Sequence, residues 1–278
     1  MDLLHALVLG AVQGLAEFLP ISSSAHLELV GWALGWDDFG GDETLEQAFD
    51  VALHIGTLVG VVAYLWRDIV ELVNEGLVQP VRGRGMSRTG KIAWLLVGTS
   101  IPAALVGAFF ESRILQNAEN ITLIAIMLIV FGLILWWADR APEDRSEDEF
   151  GLRDAVWLGA AQALALQPGV SRSGATMSVA RKLRFVREDA ARLVFLMSLP
   201  VIAGAGMFRA ISVVADGGVP DELVAGFLVG TASAAVTGFI AVWGFLRIVR
   251  TWSFTPFVVY RVVLGVSLLV VIAMGFNP

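Results

Sequence analysis

"GAVQGLAEFLPISSSA", Gly10 to Ala25, and "GAAQALALQPGVSRSG", Gly159 to Gly174, lie 149 residues apart, and seven of their sixteen positions are identical. The matches include Gln13 with Gln162, Ser22 with Ser171 and Ser24 with Ser173. A second echo follows in the same order, where "LVGTS" from Leu96 meets "LVGTA" from Leu228. Two ordered matches read as a duplicated unit, so the polar stretch of one half is expected to have a structural counterpart in the other.

The surroundings of these stretches are apolar. The chain has 278 residues, 56% of them hydrophobic, and a mean hydropathy of +0.74, above the range of soluble domains of mixed composition. Leu45 to Trp66, Ile92 to Phe110, Ile121 to Ala138, Ala190 to Phe208, Leu223 to Leu246 and Phe254 to Phe276 each approach or exceed the roughly 20 residues that a helix needs to cross hydrocarbon. An all-α polytopic membrane protein with six transmembrane helices follows. The opening segment has no basic residues and carries Glu17 near its end, so a cleaved signal peptide is not expected. Without cysteine, disulfides, thiolate metal sites and cysteine nucleophiles are excluded. The net charge is −7, and only Lys91 and Lys182 are lysines against 17 arginines. Such a balance suits a high-salt environment, and a GC-rich genome would produce the same bias.

Each half reads as a polar hairpin followed by three spans. Leu3 to Leu19, a Pro-Ser turn and about a dozen apolar residues to Trp36 form the first hairpin. Leu152 to Leu166, "QPGVSRSG" and a short tail to Leu183 form the second. Both are too short for a pair of full crossings and are read as re-entrant helical hairpins. The organisation is one integral membrane domain, 1–278, with halves 1–138 (hairpin about 3–36) and 152–276 (hairpin about 152–183). Three is odd, so the hairpins enter from opposite sides in an inverted-topology repeat that puts a shared site near the midplane. Non-helical backbone at that depth must be buried in protein or line a wet cavity, so the two turns are expected to meet.

Orientation comes from the cations. Fifteen of the nineteen Lys and Arg fall in one set of alternating loops, and the opposite set holds only Arg113 and Arg209. By the positive-inside rule both termini lie outside. Arg172 and Arg261 fall within or beside apolar segments and need a separate reason.

Gln13 and Glu17 are four apart, on one helical face. Ser22, Ser23 and Ser24 follow Pro20 at the start of the next helix, where free N–H groups and the macrodipole favour an anion, and His26 is one turn further on. The second turn supplies Gly169, Ser171, Arg172 and Ser173, with Thr176 one turn later. Two helix N-termini facing each other with an arginine between them suit a doubly charged oxyanion such as a phosphate or pyrophosphate. Each residue alone has a plainer reading: serines after a proline as caps, a lone Glu or Arg as a structural pair or part of an ion pathway, His26 as a satisfied polar group. It is their combination on two repeat-related turns that capping does not explain. His5 and His54 read as structural, the run "APEDRSEDEF" as a solvated loop, the nine tryptophans as interface belts, and the small residues of "GFLVGTASAAVTG" mainly as close helix packing.

At these positions the sequence resembles the undecaprenyl-diphosphate phosphatase family, also called the bacitracin-resistance protein family. Its first motif reads here as Gln13, Glu17 and "FLPISSSAH", its second as Pro168, Gly169, Ser171, Arg172, Ser173 and Thr176, and the likeness extends to "FDVALHIGTL" and "YRVVLG". The resemblance implies a plasma-membrane hydrolase that converts a C55-type polyprenyl diphosphate to the monophosphate, recycling the carrier for cell-wall or surface glycan assembly. It implies a divalent cation, Mg²⁺ or Ca²⁺, and a site facing the outer side. On this reading Glu17, Ser23, His26 and Arg172 are catalytic: Arg172 clamps phosphate, Ser23 is the nucleophile or orients water, and His26 is its base or the leaving-group acid. Ser22, Ser24, Gly169, Ser171, Ser173 and Thr176 bind phosphate, and Glu17 with Gln13 holds the metal. Gln13 departs from the Glu of many members and cannot act as a base. The expected partners are the lipid and the membrane, with no nucleic acid, and a homodimer is a candidate assembly. The rival reading is a secondary transporter or flippase of polyprenyl phosphate or another anion, because inverted repeats and broken helices also mark that class.

Overall fold

The computed structural model describes residues 1–118, 120–215 and 218–275, and among them it is built of helices. Phe276, where the sequence reading ends the last span and the second half, lies outside the described residues. The first hairpin is α1 (Leu3–Phe18) and α2 (Ser23–Leu34). The span α3 (Glu43–Tyr64) follows, then short α4 (Trp66–Val73) and α5 (Gln79–Val81), then α6 (Arg88–Gly98), α7 (Ser100–Ala118) and α8 (Ile121–Ala138). The second hairpin is α9 (Leu152–Leu164) and α10 (Arg172–Lys182), followed by α11 (Arg187–Ala215), α12 (Asp221–Ile248) and α13 (Thr255–Ala273).

Polar caps start the apolar runs. Asp2 accepts from the Leu4 amide at 2.7 Å, Asp42 from the Thr44 and Leu45 amides, and Asn120 from the Leu123 amide at 2.9 Å, which satisfies donors that an N-terminus leaves free. Six stretches are long and apolar enough to cross a membrane: Glu43–Tyr64, Arg88–Phe110, Ile121–Ala138, Arg187–Val213, Asp221–Ile248 and Thr255–Ala273. The second agrees with the expected span and ends at the same Phe110, where φ −124° and ψ 15° break the helix. Between α6 and α7 only Thr99 intervenes, and it keeps helical φ and ψ and its bond to the Leu95 carbonyl; Pro102, which has no N–H for the Gly98 carbonyl, marks this local interruption of the ladder. The fourth extends three residues before Ala190, into charged sequence that hydropathy alone assigned to a loop.

The packing of the halves is exchanged. α1 lies on α12 and α9 on α7; α3 contacts α12 while α11 contacts α7; α3 meets α11 and α8 meets α13. α10 packs on α8, and α2 sets Ala25 and Leu29 against a cluster that includes Leu128 of α8 and Leu268 of α13. The α1–α12 seam is close enough that a Cβ on Gly10 would stand 2.3 Å from the Gly230 carbonyl oxygen, and Ser233 donates to the Leu7 carbonyl at 2.8 Å. Small residues at 230–238 therefore serve helix approach, as the sequence reading held.

One end of the bundle carries a lattice of ions. Arg181, fully buried, meets the Asp139 carboxylate at 3.3 Å and donates to the Ala141 carbonyl at 2.7 Å. Asp139 also takes Arg187 at 2.7 Å and the Phe254 amide at 2.9 Å. Arg145 forks onto Asp154 at 3.0 and 2.8 Å. The run Ala141–Phe150 is thus no free solvated loop: Glu143 pairs with Arg181 and Arg187, Asp144 with Arg184, and Glu147 faces Arg192 at 3.6 Å. The lattice ties the end of the second hairpin to α8 and α13.

Candidate active site

The two turns start their second helices in the same way. Ser22 precedes α2 with φ 77° and ψ 96°, and Ser171 precedes α10 with φ 71° and ψ 114°. Besides Arg184 these are the non-glycine residues with positive φ among those described, a conformation that costs an L-residue energy unless the surroundings hold it. The caps then differ. Ser171 Oγ accepts from the Gly174 amide at 3.1 Å, whereas the Ser22 side chain makes no cap bond and lies 3.4 Å from Ser24 Oγ. The start of α2 therefore keeps amides that no cap side chain has taken.

Arg261 of α13 holds the turns together. Its side chain is fully buried and donates to the carbonyls of Pro20 at 3.2 Å, Gly169 at 2.9 Å, Val170 at 2.9 Å and Leu128 at 3.2 Å. One guanidinium fork thus satisfies turn carbonyls from both halves, which helix ladders cannot reach. Ser173 Oγ adds a bond to the Leu19 carbonyl at 2.8 Å. Gly169 sits at φ +86°, and a Cβ there would fall 2.7 Å from the Ile124 carbonyl oxygen, so the turn needs glycine for both conformation and space.

Above the staple, Glu17 is a hub. Its Oε1 pairs with Arg172 of the other half. Its Oε2 accepts from Ser23 Oγ at 2.5 Å and Gln13 Nε2 at 3.1 Å, and lies 3.7 Å from His54 Nε2. Glu17, Arg172, Ser23 and His54 face a cavity of about 300 Å³, which Gln13 does not line. Its polar wall carries Glu17, Ser22, Ser23, Ser24, His54, Ser171 and Arg172, and its apolar wall Val201, Ile202, Ala205 and Gly206 of α11. An amphipathic cavity of this size suits a charged head with the first part of an apolar chain.

The remaining expected residues lie elsewhere. His26 donates from Nδ1 to the Ser22 carbonyl at 2.7 Å and turns Nε2 to the Tyr260 hydroxyl at 2.6 Å, away from the cavity lining. Thr176 is fully buried and donates to the Arg172 carbonyl at 2.6 Å. Ser173 serves the Leu19 carbonyl, and Gly169 offers its carbonyl to Arg261. Gln13 and Gln162, equivalent in the repeat, are buried, and each keeps a side-chain oxygen without a partner among the described residues. His54, read from sequence as structural, lines the cavity instead, its tautomer fixed by an Nδ1–H bond to the Asp50 carbonyl at 2.8 Å. No sequence signal marked it, because which face of α3 meets the site depends on how α1 and α11 pack. Arg261 did carry a signal: an arginine inside an apolar run demands buried partners.

Fold and site define a multi-pass α-helical membrane protein with a cavity of mixed polar and apolar lining between two helix–turn–helix units. The chain belongs to the family described as bacitracin resistance protein BacA, whose model matches residues 6–267. Among curated proteins it is 44% identical over 272 residues to an undecaprenyl-diphosphatase of Moorella thermoacetica, covering 98% of each chain. It is 42% identical to the undecaprenyl-diphosphatase of Teredinibacter turnerae, over 98% of this chain and 100% of that one, and 44% identical to that of Geobacter sulfurreducens, over 97% and 98%.

Proposed function

We propose that this chain is an integral membrane hydrolase that cleaves undecaprenyl diphosphate to the monophosphate and inorganic phosphate, returning the lipid carrier to wall or surface glycan assembly. The observation that carries this is the Glu17 hub, where a carboxylate, a serine hydroxyl and the guanidinium of the opposite half converge on a pocket with an apolar wall.

Glu17 pairs with Arg172. A phosphate that takes the Arg172 fork withdraws a cation from Glu17 and leaves the carboxylate more basic toward Ser23, whose proton it already accepts. Ser23 Oγ then attacks the terminal phosphorus, the bond to the bridging oxygen breaks and polyprenyl monophosphate departs; water completes the cycle by releasing phosphate from Ser23. In the alternative course Ser23 orients water for direct attack. Phosphate trapped on Ser23 supports the first course, and a nearly fully active Ser23→Ala variant supports the second. His26, held by Ser22 and Tyr260, orients the start of α2 in this scheme.

A divalent cation fits the donors. Glu17 would be its carboxylate ligand, and Gln13, whose Nε2 donates to Glu17 and whose Oε1 has no partner among the described residues, would support it from the buried side. Among the described residues no group of three or more His, Asp and Glu could hold a metal, so binding of the cation is expected to need substrate. The chemistry it supplies is neutralisation of charge on the phosphoryl oxygens.

The same reading takes both helix–turn–helix units as re-entrant and the halves as inverted, supported by the exchanged contacts and the matched serine conformations. It places both termini on the outer side of the plasma membrane, supported by the distribution of Lys and Arg, and the mouth of the site on the same side by the family resemblance alone. The deciding experiment is phosphate release from undecaprenyl diphosphate by purified protein in detergent, with and without EDTA. Cation-dependent release is expected. Its absence with every polyprenyl and short-chain diphosphate would turn the assignment to a transporter.

A further inference from the structure

A second cationic concavity lies away from the site, at the ion-lattice end of α8 and α10. It encloses about 530 Å³ and is lined by Trp137, Arg140, Ala141, Pro142, Lys182 and Arg184. The nearby carboxylates are taken: Asp139 and Glu143 by Arg181 and Arg187, and Asp144 by Arg184. Arg140 and Lys182 are exposed and form no ion pair with these acids. Each lies on an indole instead, the Arg140 guanidinium 3.4 Å from the Trp136 ring centroid and the Lys182 ammonium 3.7 Å from that of Trp137. In a chain of net charge −7, this is a local excess of positive charge.

The position selects the ligand. Trp136 and Trp137 end the apolar run of α8, where tryptophan anchors a span at the headgroup level. Trp137 is exposed and lines the pocket, so the apolar run of α8 ends at its mouth, with the exposed Trp136 beside it. An anion held by Arg140 and Lys182 would therefore have apolar chains able to run down α8. We propose that this concavity binds the phosphate of an acidic phospholipid from the surrounding leaflet, with the two cations on the phosphodiester and the indoles against the glycerol and upper chains. The shared chemistry is a phosphate anion, and the lipid is chosen over free phosphate because the pocket opens at the end of a span. The assignment does not rest on the proposed catalysis.

Native mass spectrometry of the full chain released from mixed micelles of phosphatidylglycerol and phosphatidylcholine tests it. The unsubstituted chain should retain phosphatidylglycerol in preference, and the Arg140→Gln/Lys182→Gln double variant should lose about fivefold to tenfold of that preference. Arg67→Gln/Arg247→Gln is the matched control, since those arginines also lie near tryptophans, at 5.3 and 4.8 Å, but do not line the pocket. Equal retention of both lipids, an unchanged preference in the double variant, or the same loss in the control would overturn the proposal. Displacement of phosphatidylglycerol by millimolar inorganic phosphate would show a free-phosphate site in its place.

Discussion

Replacing Arg261 by Met keeps most of the side-chain volume and removes the fork that joins the two turns. Leu128 lies inside α8, so its carbonyl keeps a helical partner, whereas the carbonyls of Pro20, Gly169 and Val170 lie in turns and lose the donor they have. A buried acceptor left without a partner costs about 1–3 kcal/mol, which puts the loss over the three carbonyls at about 3–9 kcal/mol, a large share of the 5–15 kcal/mol that typically holds a fold. The functional loss should exceed what unfolding explains, because the turns carry Ser23 and Arg172 on opposite halves and a shift of about 1 Å between them costs about a hundredfold in rate. Arg261→Lys retains the charge but not the fork, so it should recover part of the thermal stability and little of the turnover. Thermal unfolding in detergent, run beside kcat and KM on undecaprenyl diphosphate, measures both. An Arg261→Met protein that unfolds within about 2 °C of the parent and turns over within twofold of it would refute the staple.

Arg172→Lys should leave unfolding nearly unchanged and lower kcat/KM by about a hundredfold or more, since a point charge cannot hold a phosphate through two parallel bonds as the planar fork does; near-normal turnover would remove the clamp. Gly169→Ala should destabilise by about 1–3 kcal/mol, from its φ of +86° and the 2.7 Å approach to the Ile124 carbonyl, and an unchanged unfolding temperature would contradict the packing at that turn. Glu147 lies beyond the spans, and burial, reinforced by Asp189 and Asp148, pushes its carboxyl up to about 7. The folded state then holds a proton between about pH 4.5 and 7 that the unfolded chain gives up, so this group's contribution to stability falls as pH rises through that window. Glu147→Gln should therefore flatten the decline and raise the unfolding temperature at pH 8 while changing it little at pH 4; equal shifts at both would exclude the buried acid as the cause.

Much of this was legible in the order of residues because it depends on local pattern. Runs of about 20 apolar residues mark spans wherever they occur, and the 149-residue repeat gave the two turns before any contact was known. The helix starts at Ser23 and Arg172 could be read from Pro20, the serines and Gly169, whose preferences are local. The local interruption at Thr99, inside a span that the apolar run gave correctly to its end at Phe110, left no mark in hydropathy, which does not sense one lost hydrogen bond at Pro102. The acidic run at Ala141–Phe150 looked solvated because its arginine partners come from α10 and α11, some forty residues on.

The sequence by itself determined the membrane class, the number of apolar spans and the paired polar turns, and it singled out Glu17, Ser23 and Arg172 as candidates beside them. Tertiary structure alone decided which groups share the cavity. Glu17 and Arg172 are 155 positions apart and meet only because α1 and α10 begin or end at turns stapled by Arg261. The same packing turned His26 toward Tyr260 and brought His54 to within 3.7 Å of Glu17. The direction a helix face points is set by what packs on its other sides, and for α3 those neighbours include α11 and α12 of the opposite half, for α2 α13 of the opposite half beside α8 of its own.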